Sequence, residues 1–287
     1  MRTWVKCIAL VSMLTLSAAA FGQQQQTGAR QLGWRLACQA YTFGRNGVTL
    51  FDTLDILKDV GIRNVELFPG QKLSKDNPVA VGPDMPKEAI EALKAKLQEV
   101  RVRPVAFGVT GVPKDEAGAR KLFEWAKTME IGIIVSEPGA DQFALLDKLA
   151  NEYKIKVALH NHPKPSPYWD PQVVLDRSKD CSKLVGACAD TGHWARSGLT
   201  PVDCIKKLEG RIVEFHFKDL NQMGNGHDVP WGTGVCDFKA MLKEIKRQGF
   251  KGAFSIEYEI GKDDELKENV RKCVQNFAAA CEELAKE

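Results

Sequence analysis

The sequence predicts an α/β fold, a single (β/α)₈ TIM barrel behind a signal peptide. Three observations predict it. After residue 32, eight short β-rich runs alternate with helical patterns. If the first 22 residues are a signal, 287 − 22 = 265 residues remain, about 33 per unit, and such barrels typically need about 250. No Gly-x-Gly-x-x-Gly follows the first run and no linker divides the chain, which argues against an open doubly wound sheet and against two domains.

Residues 1–22 carry the signal pattern. Arg2 and Lys6 give a charged start, Cys7–Leu16 is apolar, and Ser17–Ala20 with Gly22 supplies small residues for cleavage. The apolar run is short for a bilayer span, which needs about 20 residues, and an uncut N-terminal anchor is the alternative. Export implies a periplasmic or secreted protein with no membrane contact after cleavage. Residues 23–31 are polar and read as a disordered lead-in, so the barrel occupies 32–287.

The strands are expected at Trp34–Phe43, Arg63–Phe68, Arg103–Val109, Gly132–Glu137, Ile155–His162, Leu184–Asp190, Arg211–Lys218 and Gly252–Glu259. Helices are expected at Leu50–Val60, Lys87–Val100, Glu116–Met129, Gln142–Tyr153, Pro201–Leu208 and Phe238–Gln248. Each has an apolar stripe at helical spacing, as in Ile90, Leu93, Leu97 and Val100. Gly61 and Gly249 are stop signals before the next strand. Val270, Cys273, Val274, Phe277, Cys281 and Leu284 continue the helical stripe to the C-terminus.

Composition is that of an ordinary globular chain, 44% hydrophobic and 27% charged. Net charge is +3, and losing Arg2 and Lys6 leaves +1, too little to attract nucleic acid. Without Cys7 seven cysteines remain, an odd number with no Cys-x-x-Cys motif. Cys273 and Cys281 are expected to pack in the core, and Cys181 with Cys188 is a conceivable disulfide.

Strand alternation locates the polar chemistry. In Val213–Lys218, residues 214, 216 and 218 share one face and Val213, Phe215 and Phe217 the other. Residues 255, 257 and 259 oppose Phe254, Ile256 and Tyr258, while His160 and His162 share a face and Glu66 lies on the polar parity of its strand. The apolar parity should meet the helices and the polar parity should point inward. All five histidines (160, 162, 193, 216 and 227) fall within 68 residues, at or just past predicted strand ends. With Glu137, Asp190 and Glu257 they form a carboxylate–imidazole set suited to a divalent cation.

These residues resemble the xylose isomerase-like TIM-barrel superfamily, which includes sugar isomerases, ketose 3-epimerases, inosose dehydratases and, more distantly, endonuclease IV. The resemblance runs through Leu159-His-Asn-His162, Cys188-Ala-Asp-Thr-Gly-His193, Phe215-His-Phe-Lys-Asp219, His227-Asp-Val-Pro-Trp-Gly-Thr-Gly234 and Ser255-Ile-Glu257. It implies one divalent ion, Mn²⁺, Co²⁺ or Mg²⁺ before Zn²⁺, held by Asp190, His216, Glu257 and a fourth residue. Many members have Leu-Glu-Asn at the fifth strand, where this chain has Leu159-His160-Asn161. Either His160 ligates or Glu137 supplies the carboxylate, and Glu137 is the expected ligand because an unpaired Glu ending a buried strand would be costly.

The resemblance implies an isomerase or epimerase that removes a proton next to a carbonyl of a keto-sugar or glycoside. Dehydration or elimination begins with the same step. Glu257, Glu137 and His160 are the candidate catalytic groups. Glu66, His162, His193, Lys218, His227 and Trp231 are the candidate substrate contacts. For Lys218 a salt bridge with Asp219 or Asp190 is the equal alternative, and for Trp231 a lid role stands beside the tight turn its flanking glycines suggest. The partner is a small carbohydrate, with no nucleic acid and with homo-oligomerisation left open. Residues 1–159 contain no histidine, which argues against a three-metal nuclease. A non-catalytic exported carbohydrate-binding barrel is the reading from another class, and a broken ligand set would mark it.

Overall fold

The computed structural model describes residues 27–287, so the signal peptide 1–22 and residues 23–26 lie outside the described residues. The elements are α1 (Thr27–Leu32), β1 (Trp34–Gln39), α2 (Tyr41–Gly44), α3 (Leu50–Val60), β2 (Asn64–Leu67), α4 (Lys87–Val100), β3 (Arg103–Phe107), α5 (Glu116–Thr128), β4 (Ile133–Ser136) and α6 (Phe143–Tyr153). There follow β5 (Lys156–His160), α7 (Pro171–Ser178), β6 (Val185–Asp190), α8 (Thr191–Arg196), α9 (Pro201–Lys207), β7 (Ile212–Phe217), the short β8 (Asp219–Leu220) and β9 (Asp228–Val229), α10 (Phe238–Arg247), β10 (Gly252–Ile256) and α11 (Asp263–Leu284). Eight parallel strands close in the order β1-β10-β7-β6-β5-β4-β3-β2, the expected (β/α)₈ barrel, and β8 with β9 forms a separate antiparallel ribbon.

Local chemistry sets the helix ends. Thr49, Asp115 and Asp170 accept hydrogen bonds from backbone N–H groups of the first turns of α3, α5 and α7, which otherwise lack partners. Gly61 ends α3 at φ 88°, a conformation a Cβ would penalise. Except for β6, which ends at Asp190 as expected, the strands stop short of their expected C-terminal limits. After β1, the Gln39 side chain takes the Tyr41 N–H on Oε1 (2.5 Å) and donates from Nε2 to Gly108 O (2.6 Å), so residues 41–44 coil into α2. The described part of the supposed lead-in is also ordered. Gly28 in α1 donates its N–H to Glu282 Oε1 (2.7 Å), and a Cβ there would lie 2.6 Å from the Cys281 carbonyl.

Side-chain parity builds two cores. Phe215, Phe217 and Phe254 face outward and join Trp34, Trp231 and Phe277 between barrel and helices. Each such aromatic contributes roughly 2–3 kcal/mol when removed from water. A smaller apolar set, including Ala37, Val105, Ile133, Val135 and Ala158, fills the barrel interior. Val213 belongs to this inner set, against expectation. Ala187 pairs with Ile212 but Cys188 with Glu214, so Val213 is the extra residue of a bulge. Gly186 permits it, because a Cβ there would come 2.1 Å from Arg211 O. All seven described cysteines are free. Cys188 is buried on β6 beside His216 and Cys181 lies outside the strand, so the conceivable Cys181–Cys188 disulfide does not form. Cys273 and Cys281 are buried in α11 as expected.

Candidate active site at the C-terminal mouth

Asp190 ends β6 and caps α8, its Oδ1 accepting the His193 N–H at 2.7 Å. Asn161 clamps its backbone, taking the Asp190 N–H (2.9 Å) and donating to its carbonyl (3.0 Å). Oδ2 is thereby left to face the site, where His160, His193 and Lys218 meet it. Lys218 is fixed by the Thr191 hydroxyl, which donates to Lys218 O and accepts from Lys218 N, both at 2.8 Å. Gly192 is required beneath its stem, since a Cβ would sit 2.7 Å from Lys218 Cβ.

One donor atom each from His160, Asp190, His216 and Glu257 lies within 4.8 Å of the others, and all four residues are buried. His160 Nε2 has no hydrogen-bond partner and stands 3.5 Å from Asp190 Oδ2. His216 Nδ1 faces Glu257 Oε2 at 3.1 Å, and its Nε2 meets Glu66 Oε2 at 2.8 Å. Two imidazoles and two carboxylates, one imidazole nitrogen buried without a partner, fit a divalent ion.

Of the two alternatives for the fourth position, His160 is grouped with Asp190, His216 and Glu257, and Glu137 falls in a second group with His160 and His162. His160 is the fourth member of the cluster, and Glu137 stands behind it, accepting from His160 Nδ1 (3.1 Å), from His162 Nδ1 and from Ser166 Oγ (3.2 Å). A carboxylate on Nδ1 turns the Nε2 lone pair toward the cluster. Burial raises the Glu137 pKa, but hydrogen bonds from His160 and His162 outweigh it and hold the group at about 2, ionised and a weak base.

Burial likewise opposes ionisation of Asp190 and Glu257. For Asp190 the Lys218 ammonium beside it prevails, and for Glu257 Lys218 and His216 do, so both lie well below the usual carboxylate range. The Lys218 ammonium pairs with Asp190 Oδ2 (2.5 Å), with Glu257 Oε2 and with Glu259 Oε2 (3.5 Å). Of its expected roles the Asp190 ion pair is the one formed, because Asp219 is otherwise engaged. His193 has its pKa pushed well below the ordinary value, chiefly by burial, and stays neutral. Arg196 Nη1 donates to its Nδ1 (3.0 Å), so the ring N–H is on Nε2, which is buried without a partner.

Four of the five histidines meet here, with ring centroids 4.5 Å (160–162), 4.8 Å (160–216), 5.7 Å (160–193) and 5.2 Å (162–193) apart. His193 does so from the short helix α8, not from a strand end. His162 is half-exposed at the rim, its side chain 49% accessible. Glu66 is buried against His216, its Oε2 orienting that ring while its Oε1 has no hydrogen-bond partner. His227 is exposed in the β8–β9 turn and outside the cluster. Trp231 is no lid. It is buried against Phe217 and Phe277, and its Nε1 donates to Phe217 O (3.1 Å). The loop around it is gathered by Asp219, whose carboxylate accepts from the N–H groups of Leu220, Gly232, Gly234 and Cys236.

Sequence reasoning missed Arg196 and Asp228. Arg196 bonds Asp228 Oδ1 (2.9 Å) and Glu259 Oε2 (2.6 Å), tying α8 to the ends of β9 and β10. Glu259 shares the parity of Glu257, the available signal, whereas nothing local marks Arg196.

A family profile described as xylose isomerase-like TIM barrel matches residues 54–277, and the chain belongs to that family. Among curated relatives, the inosose dehydratase of Bacillus cereus (strain AH820) is 27% identical over 136 residues, 42% of this chain and 46% of the relative. The match thus spans about half the length of the curated relatives. An uncharacterised protein from Parabacteroides distasonis ATCC 8503 has a similar crystal structure, with TM-score 0.70, 34% identity, and coverage of 87% of this chain and 99% of that one. The IOLI protein, whose crystal structure holds a zinc atom, shares the fold at TM-score 0.63 and 18% identity, covering 85% of this chain and 98% of its own.

Proposed function

We propose that the protein is an exported, divalent-metal-dependent enzyme that removes a proton next to a carbonyl of a keto-sugar or glycoside. The observation that carries this reading is the buried His160–Asp190–His216–Glu257 cluster with an unpartnered imidazole nitrogen, beside the half-exposed Glu137–His162 pair. A divalent ion held by those four residues supplies positive charge for the oxyanion that develops when such a proton leaves. His162 is the candidate base. Glu137 accepts its Nδ1 proton, leaves Nε2 available, and stabilises the imidazolium that forms. Glu137 is too weakly basic for the task itself, and Glu257 is committed to Lys218 and His216. The neutral His193 ring directs its Nε2 proton at the same region, where a substrate oxygen can accept it.

Once the proton has left, its return to another face or carbon gives epimerisation or isomerisation, and loss of a group from the next carbon gives elimination. The likeness to inosose dehydratases favours elimination as the second reading. Metal reconstitution followed by NMR in D₂O with ketoses, aldoses and 3-keto-glycosides tests both. Deuterium entering beside the carbonyl of an intact sugar indicates isomerisation or epimerisation, and loss of water or aglycone indicates elimination. Sugar binding without exchange or cleavage in any mixture would overturn the enzyme reading in favour of a binding barrel. Sequencing the N-terminus of the purified mature protein tests export, the expected start being near Gln23.

A further inference from the structure

The opposite end of the barrel carries a second concentration of charge that the active site does not use. The starts of three adjacent strands, β1, β2 and β3, bring Arg35, Arg63, Arg101 and Arg103 to one rim, with Arg30 at the end of α1 beside them. Lys156, at the start of β5, joins Arg35 and Arg103 across the mouth. Two adjoining cavities of about 550 and 660 Å³ lie there and share Arg35, Asn64 and Arg103 as walls. One side is apolar, made by Val274 and Phe277 of α11, which limits hydration of the neighbouring charges.

These cations lack protein counter-ions. Among the described residues the side chains of Arg30, Arg35, Arg101, Arg103 and Lys156 make no hydrogen bond or ion pair, and Arg63 donates only to the carbonyls of Lys58 and Ile62. Glu214, inside the barrel behind Arg35 and Lys156, offsets at most one of the six charges, and Glu130 is the acidic residue of the lining. A chain whose total charge is only +3 has therefore segregated six cations onto one rim. Like charges held together repel, and an anion bound among them relieves that repulsion.

We propose that the N-terminal mouth is a binding site for a phosphate-bearing anion of at least two charges, gripped by the guanidinium groups of Arg35, Arg63, Arg101 and Arg103. The planar fork of a guanidinium matches two phosphate oxygens at once, which ammonium groups do not. The phosphate can be free or belong to a lipid headgroup. The site is independent of the reading of the active site.

The test uses the purified protein and titrates inorganic phosphate and pyrophosphate by calorimetry at constant ionic strength, with chloride as reference. Pyrophosphate is expected to bind saturably and more tightly than phosphate. Arg35→Gln/Arg103→Gln and Arg63→Gln/Arg101→Gln should each weaken it at least tenfold, with metal content at the other mouth unchanged. Flotation with phosphatidylglycerol–phosphatidylcholine vesicles separates the sources. Vesicle binding that pyrophosphate displaces assigns the lipid headgroup, and pyrophosphate binding without vesicle binding assigns a soluble anion. Wild-type protein that binds neither probe beyond chloride overturns the proposal, as does wild-type affinity in both double variants. Should one pair unfold, judged by circular dichroism, the other decides.

Discussion

The two mouths of the barrel are made by the same eight strands and treat charge in opposite ways. At the C-terminal mouth His160, Asp190, His216, Lys218 and Glu257 are at most 6% exposed, and each ionised group touches a partner of opposite sign. At the N-terminal mouth Arg35, Arg101 and Arg103 are exposed and lack any acidic partner. The difference follows from desolvation. A buried ion without a partner costs several kcal/mol, so the interior end must be balanced, whereas a solvated guanidinium stands alone at little cost. The balanced end therefore has its charges compensated within the protein, and the unbalanced end is free to take a counter-ion from solution.

The largest effect should come from breaking the balanced end at a ligand. Asp190→Asn is expected to lower divalent-ion affinity by roughly a hundredfold or more, measured as bound metal after dialysis, and Glu137→Gln by only about 10–100-fold because it acts through His160. Equal losses in the two would restore Glu137 as a direct ligand. Next comes Lys218→Met, which strands Asp190 and Glu257 as buried like charges. Urea unfolding of the metal-free variant should show a loss of about 3–5 kcal/mol, partly recovered with a divalent ion. Unchanged stability would mean that the ammonium does not neutralise that pair.

A third experiment uses pH. Burial outweighs Lys218 and Arg196 and pushes Asp228 up to about 6. A carboxyl raised on folding contributes stability that is present below its ordinary value near 3.8 and is lost as pH rises through about 6. Wild-type stability should therefore fall relative to Asp228→Asn between pH 4 and 7, by on the order of 2 kcal/mol. Parallel pH profiles would remove Asp228 as the titrating group. The smallest effect belongs to the unbalanced end, where Arg101→Gln should change unfolding stability by less than about 0.5 kcal/mol. A larger loss would show that this arginine has a structural partner and weaken the contrast.

The elements were readable where local physics decides them. Leu50–Val60 and Lys87–Val100 form helices with those limits, because an apolar stripe at helical spacing buries only as a helix. All barrel strands but β6 end before the C-terminal limits the alternation suggests. Residues 40–43, 161–162 and 257–259 continue the alternating pattern, but side chains such as Gln39 capture the backbone and turn it into site loops. Trp231 was misread for a related reason. Glycines in Pro230–Gly234 announce a turn, but not that Asp219, eleven or more residues earlier, draws that turn inward until the indole is buried.

By itself the sequence determined the repeating βα pattern and the strand parity, and hence that Glu66, His160, His216 and Glu257 point into the barrel. Those consequences need only neighbours along the chain. Tertiary structure alone decided that His160 joins Asp190, His216 and Glu257 while Glu137 holds its ring, that Lys218 lies between Asp190 and Glu257, and that Cys181 and Cys188 stay apart. The His160–Glu137, Lys218–Asp190 and Lys218–Glu257 pairings join residues 23, 28 and 39 positions apart. They depend on the register with which the strands close, and a bulge such as that at Val213 shifts the register without any mark of its own in the sequence.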